Sequence, residues 1–125
     1  MNSILLADDD PLIVGLYKKK FAKLGYEVDV AIDGEEALEK AAQMKPGLIL
    51  LDRMLPKLDG LEVLKRLHAN PETKNIPVVI LTNMEEDQSV IGQAKALGAL
   101  DYLIKERIDL NMLAEKVKEI FAKQN

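Results

Sequence analysis

The sequence predicts an α/β domain built on a doubly wound, five-stranded parallel sheet with five helices. Three observations predict it. Short apolar runs without polar alternation, Ile4-Leu5-Leu6-Ala7, Leu48-Ile49-Leu50-Leu51 and Val78-Val79-Ile80-Leu81, read as strands buried on both faces. Segments with apolar residues at helical spacing lie between them, so that strand and helix alternate five times. At 125 residues the chain has the size of one domain, large enough to bury a real core. Parallel neighbours need right-handed crossovers, so helices are expected on both faces of the sheet. A single domain over residues 1–125, with no output domain in the chain, is the expected organisation.

The elements follow in order. The first strand ends in Asp8-Asp9-Asp10-Pro11, and helical periodicity begins at Ile13, Tyr17, Phe21 and Leu24. Pro11 suits the first helical position and Asp10 its N-cap, which leaves Asp8 and Asp9 at the strand end without a structural task. Gly25 stops this helix, and Lys18-Lys19-Lys20 within it reads as a solvated face. Val28-Asp29-Val30-Ala31 is a second strand, after which Asp33 and Glu36 have capping-box spacing for a helix reaching about Met44. Pro46-Gly47 breaks to the central strand, which delivers Asp52 to its end. Asp59 and Glu62 repeat the capping spacing for a helix that turns Leu61, Leu64 and Leu67 inward and stops at Asn70-Pro71. The fourth strand carries Thr82 and Asn83 to its end. Met84 to Leu97 is helical by its spacing of Val90, Ile91, Ala94 and Leu97, weakened by Gly92 in its interior and stopped by Gly98. Tyr102-Leu103-Ile104 is a fifth strand ending in Lys105, and Asp109 caps a last helix with Leu113, Val117, Ile120 and Phe121 on its apolar face.

Composition excludes several function classes. A net charge of -4, with 48% hydrophobic and 30% charged residues, describes a globular protein without a nucleic-acid footprint. There is no Cys, no apolar stretch of membrane length and no basic-then-apolar leader, so the expectation is a cytoplasmic protein without direct nucleic-acid or membrane partners.

The strand ends carry the chemistry. In an open parallel sheet ligands sit outside the carboxyl ends of the strands, and these ends bring Asp8, Asp9, Asp52, Thr82 and Lys105 to one edge. Three carboxylates crowded together repel, and one would take a proton unless a cation joins them. An all-oxygen set without Cys or nearby His suits Mg2+ or Mn2+. A carboxylate can act as nucleophile toward a phosphoryl group, with the ion, a lysine and a hydroxyl to neutralise the transferring oxygens. His68, the only histidine, reads as a surface residue.

Over nearly its whole length the chain resembles the response-regulator receiver domain of two-component signalling, chemotaxis-regulator-like. Asp8-Asp9 resembles the family's acidic pair, Asp52 its phosphoacceptor, Met54 to Gly60 its proline turn, Thr82 its switch hydroxyl, Tyr102 its switch aromatic and Lys105 its lysine. The resemblance implies the flavodoxin-like strand order 2-1-3-4-5. It implies a metal bound by Asp9, Asp52 and the Met54 backbone carbonyl, with Asp8 acting through water. Phosphoryl transfer from a histidine kinase or histidine phosphotransfer protein would then repack the face formed by the fourth helix, fifth strand and fifth helix. That face would control a downstream protein or a missing output domain, with the chain a monomer or a weak phosphorylation-dependent dimer.

Two departures from the family pattern stand out. Glu106 follows Lys105 where the family usually has Pro, so a trans bond is expected there. Asn83 follows Thr82 where a small residue is usual, so it is expected to crowd the phosphoryl pocket, and Asn83→Ala to raise the phosphorylation rate. The rival readings are a receiver-like binding module that is not phosphorylated and a haloacid-dehalogenase-like phosphatase with Asp8 as nucleophile.

Overall fold

In the computed structural model, which describes residues 2–82 and 88–124, five strands form one parallel sheet in the order β2-β1-β3-β4-β5. The chain runs β1 (Ser3–Ala7), α1 (Pro11–Lys23), β2 (Glu27–Ala31), α2 (Gly34–Met44), β3 (Leu48–Asp52), α3 (Gly60–Ala69), β4 (Val78–Thr82), α4 (Gln88–Ala96), β5 (Asp101–Ile104) and α5 (Leu110–Gln124), with a 3-10 turn at Lys105–Arg107 before α5. This is the predicted fold and the predicted strand order.

The strands are buried because the sheet is covered on both sides. Every residue of β3 and of β4 is buried. Alternate strand residues serve two separate cores. Leu5, Ile49, Leu51 and Ile80 pack with Ala37, Ala41, Val63, Leu64 and Ala94 of α2, α3 and α4. Ile4, Leu6, Leu50 and Leu81 pack with Tyr17, Phe21, Leu113, Val117 and Phe121 of α1 and α5.

Helix starts are set by the acids read as caps. Asp10 accepts from Leu12 N–H with Pro11 at the first helical position, and Asp33 accepts from Glu36 N–H at 2.8 Å while Glu36 reaches back to Ile32 N–H. Asp59 accepts from Leu61 and Glu62 N–H, but Glu62 turns away to Arg66 at 2.9 Å, so this cap is one-sided. On α3 the buried residues are Gly60, Val63, Leu64 and Leu67, with Leu61 only half-buried; the predicted stripe lacked Val63, which sits one step round the helix. Asp109 accepts from Met112 N–H as expected. Gly25 and Gly98 end their helices at φ +92 and +101, values that favour glycine. No cis peptide bond occurs among the described residues, so Lys105–Glu106 is trans as predicted.

Candidate functional site

The parallel register brings the strand ends to one level. Ala7 of β1 lies beside Leu51 of β3, and Asp52 beside Leu81 of β4. The next residue on each of β1 and β4 is therefore Asp8 and Thr82, both flanking Asp52. Thr82 in turn pairs with Ile104 of β5, which puts Lys105 one step beyond, over the same edge.

Asp8 is 2% and Asp52 8% exposed, whereas Asp9 is open to solvent. One carboxylate oxygen from each of the three lies within 4.8 Å of the others. Lys105 Nζ closes the cluster, 2.6 Å from Asp8 Oδ2 and 3.5 Å from Asp52 Oδ2. Asp8 Oδ1 accepts from Asp10 N–H at 3.0 Å, and Asp52 Oδ1 from Met54 N–H at 3.2 Å. Each aspartate thus spends one oxygen on the local backbone and turns the other toward the lysine.

Burial pushes the Asp52 carboxyl above its ordinary value, and the charge of Asp8 adds to this against the pull of Lys105 and Met54 N–H. Burial alone would lower the Lys105 ammonium, but the hydrogen bond and charge of Asp8, with the charge of Asp52, raise it. The lysine is therefore charged at neutral pH, and Asp52 is the strained carboxylate of the set. An acidic pocket of this kind could bind a divalent metal. The donor set fits a hard cation, since three carboxylate oxygens converge without sulfur or imidazole.

The structure brings together Asp8, Asp9, Asp52 and Lys105, with Thr82 fully buried on the adjoining strand end. Tyr102 lies on β5, with two residues between it and the 3-10 turn that begins at Lys105. It faces the core formed with α2, α3 and α4, half-buried, and its hydroxyl oxygen is out of solvent contact. Asn83 lies outside the described residues. The side chain of Met54 is exposed, and His68 is exposed on α3 as expected.

Two features of the site were not read from the sequence. Tyr17, taken as a core residue, is buried with its phenol within electrostatic reach of Lys105 and Asp8, and burial raises its pKa above the ordinary value. The loop from Arg53 to Asp59 is clamped at both ends. Gly60 N–H bonds to Arg53 O at 2.8 Å, and a Cβ on Gly60 would come within 2.6 Å of Asp52 O. A glycine before a helix's first apolar residue is the only sequence signal for that clamp, and it is a weak one.

Comparison with known proteins agrees with this geometry. The family model described as response regulator receiver domain matches residues 4–118. The chain is 40% identical over 120 residues to the DNA-binding dual master transcriptional regulator RpaA of Synechocystis, covering 96% of this chain and 49% of that protein. It is 47% identical over 105 residues to the alkaline phosphatase synthesis transcriptional regulatory protein PhoP of Bacillus subtilis, covering 83% and 42%. The chain thus spans half or less of the length of these relatives. Among solved structures, a two-component response regulator from Clostridium difficile superposes with a TM-score of 0.90 at 34% identity, covering 100% of this chain and 99% of that one. A Francisella response regulator receiver domain gives 0.89 at 31% identity, with both chains covered completely. Fold, strand-end residues and relatives converge, and the chain belongs to the response regulator receiver domain family.

Proposed function

We propose that the chain is a phosphorylation-controlled signalling switch in which Asp52 accepts a phosphoryl group from a histidine kinase or histidine phosphotransfer protein. The observation that carries the reading is Asp52 itself. It is a buried carboxylate at the C-terminal end of the central strand, 3.5 Å from Lys105 and clustered with the oxygens of Asp8 and Asp9. An Asp52 carboxylate oxygen attacks phosphorus, an O–P bond forms, the P–N bond to the donor imidazole breaks, and its electron pair returns to the ring nitrogen. Mg2+ held by Asp9, Asp52 and the Met54 backbone carbonyl, with Asp8 through water, would neutralise charge on the transferring oxygens. Lys105 supplies a fixed positive charge beside them, and Thr82 a hydroxyl donor on the adjoining strand.

The product is a switch because the new dianionic group recruits Lys105 and Thr82. Movement of Thr82 frees space for Tyr102 to turn, and the surface of α4, β5 and α5 repacks. Carrying such an equilibrium from mostly off to mostly on takes about 5.5 kcal/mol of differential interaction, within reach of two charge-assisted bonds acting together with the ion. The chain catalyses its own Mg2+-dependent phosphorylation and dephosphorylation and acts on a downstream protein or an output domain. From the bulk of Asn83 next to Thr82 in the sequence, Asn83→Ala is expected to speed phosphorylation.

Incubation with Mg2+ and acetyl phosphate, read by intact mass and peptide mapping, tests the proposal. One phosphoryl adduct on Asp52, absent without Mg2+ and absent in Asp52→Ala, is the expected result. A label on Asp8 would instead indicate the phosphatase chemistry, and a folded, metal-bound chain without adduct would indicate a binding module.

A further inference from the structure

The loop that carries Met54 does not hold its own shape. Leu58 N–H bonds back to Pro56 O at 2.8 Å, closing a three-residue turn around Lys57 at φ +70, a γ-turn of the rare, strained hand for a residue with a side chain. Something outside the turn must over-determine it, and the first turn of α2 does. Gly34 N–H donates to the same Pro56 carbonyl at 3.1 Å. Gly34 is packed so closely under the turn that a Cβ there would stand 2.5 Å from Leu58 O and 2.6 Å from Leu58 Cβ. Lys57 Nζ, on the outside, reaches Asp33 Oδ2 at 3.5 Å, while Asp33 Oδ1 caps α2. The other end of the loop is fixed to β3 through Gly60 and Arg53.

We propose that Asp33, Gly34 and Lys57 are positioning residues for the metal site. The first turn of α2 sets the path of residues 53–59, and with it the direction of the Met54 carbonyl beside Asp52. This rests on the reading of Asp9, Asp52 and the Met54 carbonyl as metal ligands and extends it to residues that touch none of them. Loss of the ion pair lowers the Asp33 carboxyl's stabilisation, which the backbone N–H of Glu36 and then Lys57 hold below the ordinary range, but leaves the cap intact when Asn replaces Asp.

The test is Mn2+ affinity, read by the electron paramagnetic resonance of free Mn2+, with thermal unfolding of each metal-free variant alongside. Gly34→Ala drives a methyl into the Leu58 backbone, and its expected affinity is about tenfold weaker, the low end of what losing an outer-shell partner does. Lys57→Met and Asp33→Asn remove only a half-exposed ion pair, so each is expected to weaken binding about threefold, with unfolding midpoints close to the parent's. The double variant is expected to be no weaker than either single one, and Lys57→Arg to match the parent. If Gly34→Ala does not fold, the Lys57 and Asp33 variants decide. Parent-like affinity in both Lys57→Met and Asp33→Asn, or Lys57→Arg as weak as Lys57→Met, overturns the proposal alone. A parent chain that binds no Mn2+ overturns the metal reading and this proposal with it.

Discussion

Asp52 is held where a carboxylate is least at ease, and that unease has a measurable sign. Its pKa is raised by burial first and by Asp8 second, so the folded metal-free chain binds a proton more readily than the unfolded one. Its stabilising contribution is full below the ordinary value of 3.8 and is lost as pH rises through the folded value. Ionisation of the group in the folded chain is a burden that a bound cation would relieve. Asp52→Asn is therefore expected to raise the unfolding midpoint of the metal-free chain at pH 7, to remove the gain the parent shows as pH falls toward 4, and to abolish stabilisation by added Mg2+. Thermal melts across that range, with and without Mg2+, check all three. These site residues were legible because each one interrupts an apolar run at its last position, a signal that needs no tertiary information. Lys57 and Gly34 were not, because a positive φ at a lysine is imposed by docking against α2, and nothing in the local sequence asks for it.

At the scale of elements, the caps were the most legible feature, since Asp10, Asp33, Asp59 and Asp109 each bond backbone N–H groups within three residues. Packing was less so. Val63 escaped because the α3 stripe was drawn through leucines, whereas the helix buries a broader arc that includes it. Gly92 was read as a weak point of α4, and a Cβ there would meet nothing within 4 Å. Gly92→Ala is accordingly expected to stabilise the chain by about 0.5–1 kcal/mol, seen as a higher urea midpoint with unchanged slope. Gly47→Ala is its opposite: the Cβ would fall 2.5 Å from the Phe121 ring, so the midpoint drops.

For the whole molecule, acid stability draws also on carboxylates outside the strand-end cluster. Backbone N–H groups of Val30 and Glu36 lead in holding Asp29 and Asp33 low. Burial opposes this at Asp101, but Lys116 at 3.0 Å and Tyr102 N–H outweigh it. Each is depressed in the folded state, so its contribution is present above about 3.8 and is lost as pH falls through the lower folded value. Lys116→Met is expected to lower stability at pH 7 by about 0.5 kcal/mol, the scale of a partly exposed pair. It also flattens the acid limb in urea unfolding from pH 7 to 3. The sheet order was legible only through the family resemblance, because alternation of strand and helix fixes parallel pairing without fixing which strands are neighbours. That order has one more consequence. Asp52 rides on the middle strand, held by a strand on each side, whereas Tyr102 sits on the edge strand, held on one side only. Under the proposed switch, a message would be written on a strand held from both sides and read at the margin of the sheet, so the margin could be refitted for a new listener without disturbing the pen.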